Sequence, residues 1–251
     1  MIRVGVVGAS GRTGSKVVEA LSVSDGAVLG AAIVSQGSSR LGANVPGTQL
    51  QYSASLEALR GCDVAIEFST PEVSAAVAEK CGEWGVPLLV ATTGHSPAQA
   101  EQINAAAREV AIAVAPNTSL GAALLALAVE QVRDAARGAF DIEVMEIHHR
   151  MKRDAPSGTA RALVNAAIVP GQEAVFGREG LRRSHEIGVS ALRGGDIPGD
   201  HTVYFLGEGE RLELTHRVHD RRVFGAGAVV LARRLVGRPS GLHSVRELLL
   251  A

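Results

Sequence analysis

Residues 2–14 constrain this chain more than any other stretch. Ile2-Arg-Val-Gly-Val-Val7 is an apolar run of strand length, and Gly8-Ala-Ser-Gly-Arg-Thr-Gly14 follows it without a break. The next residues, to about Leu21, have helical spacing. A buried strand, a glycine-rich turn and a helix in that order form the phosphate-binding unit of a doubly wound sheet. The spacing is GxxGxxG. Gly8 and Gly11 let the backbone approach a pyrophosphate, and Gly14 lets the helix pack on the strand. A tight turn with no ligand is the plainer alternative.

The pattern then repeats. Val28–Val34, Asp63–Phe68, Val86–Ala91 and Val110–Val114 read as further strands, with helices after Pro71 and Ser96. Strands alternating with helices give a parallel sheet, whose ligands lie beyond the carboxyl ends of its strands. Those ends are small or polar at Gly8, Ser69, Thr92 and Asn117. The second strand ends in Val34-Ser35-Gln36-Gly37-Ser38-Ser39-Arg40, with no carboxylate to receive a ribose 2′-hydroxyl. Ser35, Ser38, Arg40 and Arg12 instead suit a 2′-phosphate, which favours NADPH over NADH. A solvated loop is the alternative there.

From Leu120 the pattern changes. Leu120–Val132 reads as a long helix, apolar all round and deeply buried, that bridges two domains. Strands at 140–147, 186–193, 201–206 and 211–217 then follow with a single helix, 157–168, among them. The expected fold is α/β: an N-terminal Rossmann-type doubly wound parallel sheet plus a C-terminal α+β domain with an open mixed sheet. Residues 1–118 and 224–251 are expected to form a dinucleotide-binding domain, and 119–223 a substrate-binding and oligomerisation domain.

The chemistry concentrates in Glu146-Ile-His-His-Arg-Met-Lys-Arg-Asp-Ala-Pro-Ser-Gly-Thr-Ala160. His148, His149 and Lys152 lie between a strand end and a helix start, where the N–H groups of Ser157, Gly158 and Thr159 attract anions. Arg fills 22 of the 25 basic positions and Lys only 16, 80 and 152. An ammonium kept between Arg150 and Arg153 points to a role that a guanidinium cannot fill. Two imidazoles, an ammonium and a row of N–H groups describe a pocket for a small carboxylate. A solvated surface pair of histidines is the alternative. Arg193 is either an anion clamp or the partner of Asp196, and Thr215-His216-Arg217 reads as structural. His95, His185, His219 and His243 read as surface residues.

Net charge is −1 and aromatics are 3%, so neither a basic footprint nor a stacking platform for nucleic acid is present. No apolar run reaches membrane-spanning length. Cys62 and Cys81 have no metal-type spacing and read as free core thiols, and no HxxxH or CxxC motif argues for a metal. With no signal-peptide pattern at Met1, the expected location is the cytoplasm.

Together these motifs resemble the dihydrodipicolinate reductase family of lysine and diaminopimelate synthesis. The resemblance runs through Gly8–Gly14, Phe68–Pro71, Thr92–Gly94, Ala115–Asn117, Glu146–Ala160, Arg193–His201 and Leu212–Arg217. It implies reduction of 4-hydroxy-tetrahydrodipicolinate (dihydrodipicolinate) to tetrahydrodipicolinate with NADPH or NADH, by hydride addition at ring C4 and protonation. It also implies that His148 is a proton donor and acceptor and that Lys152 is a second proton donor. His149, Ser157, Gly158 and Thr159 would bind the carboxylates of the cyclic imine. Gly8, Ala9, Ser10, Gly11, Arg12 and Thr13, with Ser35, Ala91, Thr92, Thr93, Ala115, Pro116, Asn117 and Thr118, would hold the cofactor. The family's usual assembly is a homotetramer built on the second domain's sheet. Thr13, Ala91 and Thr118 depart from the commonest residues of the family. The alternatives are a reductase of another cyclic imine and a non-catalytic NADP(H)-binding protein.

Overall fold

The computed structural model describes residues 1–136 and 138–250. The chain divides into two compact units: Met1–Ser119 with Arg221–Ala251, and Leu120–Asp220.

The first unit is built on a six-stranded sheet. Its strands are β1 (Ile2–Val7), β2 (Ala27–Ile33), β3 (Val64–Glu67), β4 (Leu88–Val90), β5 (Ala111–Val114) and β11 (Gly241–His243). The order is β11-β5-β4-β3-β1-β2, and every pairing is parallel. Helices α1 (Gly14–Ser22), α2 (Pro71–Trp84), α3 (Pro97–Ala106), α6 (Arg222–Leu235) and α7 (Val245–Leu250) belong to this unit. Local chemistry sets their ends. Pro71 opens α2, and Gly85, at φ 67°, closes it in the left-handed conformation. Ser96 and Gln99 form a capping box on α3. Ile66, Leu88, Leu89 and Ile112 are fully buried in the core, with Cys62 and Cys81 buried there as free thiols. Burial pushes the two thiols up to about 11 and about 12, so both are unreactive.

The second unit is a five-stranded sheet in the order β10-β9-β6-β8-β7. Its strands are β6 (Asp141–His148), β7 (Glu173–Phe176), β8 (Glu186–Arg193), β9 (Gly199–Leu206) and β10 (Arg211–Val218). The β6–β8 and β7–β8 pairs are parallel, while β6–β9 and β9–β10 are antiparallel. Helices α4 (Leu120–Ala136) and α5 (Gly158–Ala167) share a core with one face of the sheet. Leu125, Val129, Leu163 and Val164 meet Ile142, Val144, Ile187, Val203 and Phe205 there.

The expected fold class stands: a parallel sheet with helices and a second, mixed sheet. The helix at 120–136 corrects the sequence reading. It buries only Ala122, Leu125 and Val129, and Leu124 is 55% exposed. Half of its apolar residues are alanines, which fit a half-exposed helix as well as a buried one. Two short edge strands, β7 and β11, were not expected from the sequence. No described helix is long and apolar enough to cross a membrane.

Candidate active site

In the second unit, strand alternation places Ile142, Val144, Glu146 and His148 on one face of β6, and all four are buried. The first two are core. The last two carry an acid and an imidazole into the same row. Register then adds partners, because Glu146 lies opposite His201 of β9, and His148 lies beside Arg193 of β8.

Glu146 is fully buried, and three groups face its carboxylate. Oε1 accepts from the Ser157 backbone N–H at 2.9 Å and from Arg193 Nη2 at 2.9 Å. Oε2 faces His148 Nδ1 at ion-pair distance. Burial alone would raise this carboxyl. The His148 ring, the Arg193 guanidinium and the Ser157 N–H outweigh it and hold the group at about 2. A carboxylate facing Nδ1 keeps the proton on that nitrogen and leaves Nε2 for exchange. Gly199 leaves room at Nε2, since a Cβ there would sit 2.9 Å from it.

His201 is 3% exposed, and its ring stands edge-on to His148 with centroids 5.1 Å apart. Its Nε2 meets Ser157 Oγ at 3.2 Å. Burial, and then the neighbouring His148, push His201 down to about 4, so it is neutral at physiological pH. Ser157 Oγ also accepts from Ala160 N at 3.1 Å, which makes Ser157 the N-cap of α5. The first N–H groups of α5 therefore begin at Gly158 and Thr159, beside the buried trio. Nothing lies within 4 Å of where a Gly158 Cβ would stand.

Lys152 is tethered through its backbone to His149 O at 3.1 Å, and its Nζ sits 2.9 Å from Asp154 Oδ1. That hydrogen bond holds the Asp154 carboxyl below its usual range. The loop after β8 pins the segment from the other side, with His149 N–H donating to Ile197 O at 2.8 Å and Gly194 N–H to His148 O at 2.9 Å.

Glu146, His148 and His201 offer ligand atoms within 4.8 Å of one another, which is metal-like spacing. The Glu146 carboxylate, however, is already matched by Arg193 and an N–H group, and Arg193 would repel a cation at this point. The trio is better suited to holding protons.

Arg193 corrects the sequence reading. Its partners are Glu146 and the Asp154 carbonyl, at 2.6 Å, rather than Asp196. Glu146 and His201 had no assigned role from the sequence. The available signal was the alternation of β6, which puts a glutamate in a core-facing row. His95, His185 and His243 meet Ser74 Oγ, Glu173 and Pro239 O respectively, and His185 is exposed.

The first unit carries the glycine turn. Gly8 has φ 77°, and a Cβ on it would strike the Phe68 carbonyl. A Cβ on Gly14 would strike the Gly8 carbonyl, so α1 starts hard against the turn. Thr13 caps α1 without a side-chain hydrogen bond, and the first turn of α1 has no acidic residue. A helix start with no acidic residue, and with Lys16 in its first turn, behind a left-handed glycine suits a dinucleotide's phosphates. Arg12, Ser35 and Arg40 are exposed. Ala91, Thr92, Thr93, Ala115, Pro116 and Asn117 line the ends of β4 and β5. The Thr118 hydroxyl is spent internally, donating to Phe224 O at 2.7 Å.

Comparison with known proteins places both units in one family. The model described as dihydrodipicolinate reductase, N-terminus, matches residues 2–118, and that described as dihydrodipicolinate reductase, C-terminus, matches residues 121–249. The chain belongs to the dihydrodipicolinate reductase family. One family member, a 4-hydroxy-tetrahydrodipicolinate reductase from Myxococcus xanthus (strain DK1622), is 43% identical over 267 residues, covering 99% of this chain and 98% of the relative. Another so named, from Anaeromyxobacter sp. (strain Fw109-5), is 40% identical over 262 residues, with the same coverage. A dipicolinate-bound dihydrodipicolinate reductase from Paenisporosarcina sp. TG-14 superposes with a TM-score of 0.80 at 25% identity, covering 98% of each chain. An amine dehydrogenase from Mycobacterium smegmatis shares the fold alone, with a TM-score of 0.61 at 13% identity. Within the dihydrodipicolinate reductase family, the first unit is the nucleotide-binding, Rossmann-type half.

Proposed function

We propose that this chain is a 4-hydroxy-tetrahydrodipicolinate reductase of lysine and diaminopimelate biosynthesis, with the first unit binding the dinucleotide and the second binding substrate. The observation that carries this reading is the buried Glu146–His148 pair at the end of β6, beside the start of α5 and the Lys152 loop. The substrate is a doubly anionic cyclic imine. The N–H groups of Gly158 and Thr159 and the His149 side chain grip one carboxylate. Lys152 grips the other, which displaces the exposed Asp154 from its Nζ. Loss of the 4-hydroxyl group as water leaves a C=C bond conjugated to the C=N bond, and a bound NAD(P)H, held by the Gly8–Thr13 and Ala91–Thr93 segments, would supply the hydride to ring C4. Electron density then builds toward the ring nitrogen, and His148 or Lys152 delivers the balancing proton. Such a positioned donor is worth about 10²–10⁴-fold in rate. Glu146 holds the His148 ring for that transfer, and fixed cations hold the substrate in register.

The preferred cofactor is NADPH, through Arg12, Ser35, Ser38 and Arg40. The assembly is a homotetramer formed on the sheet face opposite α4 and α5, where alternation places Met145, Ile147, Leu192 and Tyr204. Its location is the cytoplasm. Oxidation of NADPH by the purified chain, with substrate made fresh from pyruvate and aspartate semialdehyde, tests the activity. Lys152→Ala should lower kcat by at least about 10²-fold with NADPH affinity intact. Undiminished turnover in that variant would remove Lys152 from the mechanism, and no turnover in the unaltered chain would sink the reading.

A further inference from the structure

Glu67 is the last residue of β3 and is fully buried, and no proton transfer assigned above uses it. A carboxylate in such a place is costly unless something requires it. Its Oε1 accepts from the Ser69 N–H at 2.6 Å, from the Ser69 hydroxyl, and from the Thr92 hydroxyl at 2.8 Å. The same Ser69 N–H also reaches Thr92 Oγ1 at 2.9 Å. The loop leaving β3 is thereby stitched to the loop leaving β4. All three donors converge on one oxygen of the carboxylate. The second oxygen, Oε2, is buried and has no hydrogen-bond partner among the described residues. The loops therefore use one oxygen of the carboxylate and leave the other for a further role.

We propose that the Glu67 charge serves the dinucleotide: it favours the oxidised, positively charged nicotinamide over the reduced, neutral one at the ends of β3 and β4. This role rests on the reading of Ala91–Thr93 as a cofactor-holding segment, because Thr92 is the residue whose hydroxyl Glu67 takes. Ligands of a parallel sheet lie beyond its strand ends, where Glu67 stands. An oxidised nicotinamide ring carries one more positive charge than a reduced one. A fixed carboxylate nearby, in surroundings that screen weakly, separates the two forms in affinity. The balance between bound forms then leans toward hydride release.

The test compares Kd for NADP⁺ and NADPH by calorimetry, without substrate, on the full chain. Glu67→Gln keeps the acceptor oxygen and removes the charge. The ratio Kd(NADP⁺)/Kd(NADPH) should rise about ten-fold in that variant. In Glu67→Asp, which keeps the charge, it should change far less. A ratio unchanged in Glu67→Gln, with both forms still bound, overturns the proposal while leaving the cofactor site in place. If the unaltered chain binds neither form, the cofactor reading fails and the role of Glu67 goes with it. Should Glu67→Gln not fold, Thr92→Val keeps the charge and removes one donor from it. The ratio should then fall a few-fold, and an unchanged ratio counts against the proposal.

Discussion

Lowering the pH from about 7 to about 5 asks the His201 ring to take up a proton where the fold resists it. The unfolded ring titrates near 6.5, and the folded one near about 4, because it is 3% exposed and faces His148. The unfolded chain therefore binds the proton first. Stability is fully present above the unfolded value and drains away as pH falls from 6.5 toward about 4. The full shift corresponds to about 3 kcal/mol, of which about 2 kcal/mol is lost between pH ~7 and pH ~5. His201→Asn cannot titrate and should lose that much less over the same interval. Urea unfolding followed by far-UV circular dichroism measures it, at fixed protein concentration so that assembly does not enter the comparison. The difference between the two slopes is the quantity of interest, since other groups titrate in both proteins. Equal slopes would mean that the ring is hydrated or paired in solution, and that the neutral His201 beside Ser157 is wrong.

Three further outcomes can be checked. Glu146→Gln breaks a buried ion pair and strands Arg193, so unfolding stability should drop by about 3–5 kcal/mol and kcat by about 10²-fold, read by urea midpoint and steady-state kinetics. Gly14→Ala drives a methyl group into the Gly8 carbonyl, and should cost about 1–3 kcal/mol in thermal unfolding and weaken NADPH binding by calorimetry. Arg12→Ala with Arg40→Ala should cut the NADPH-over-NADH preference in kcat/KM about ten-fold while NADH kinetics stay nearly constant.

How much was legible follows from where the signal lives. Five strands of the first sheet could be read because each is a compact apolar run closed by glycine, proline or a hydroxyl residue. β11 was hidden because Gly241-Leu-His243 contains one apolar residue, too few to show a period. β7 is an edge strand of four residues with none of them buried, and it reads like loop. In the site, His148, His149, Lys152 and Ser157 are neighbours in sequence and stood out together. Glu146, Arg193 and His201 join them only through the pairing of β6 with β8 and β9, and register is a property of the sheet. Arg193 shows the limit well. Asp196, three residues on, was the obvious partner along the chain, but the strand pairing delivers Glu146.

The first unit is assembled from both ends of the chain. Helix α6 lies so close to α1 that a Cβ on Gly225 would strike the Lys16 carbonyl, and β11 completes the sheet beside β5. During synthesis, residues 1–119 leave the ribosome long before the segment that covers them. The first sheet therefore cannot be completed at β11 until the whole segment of the second unit has been made.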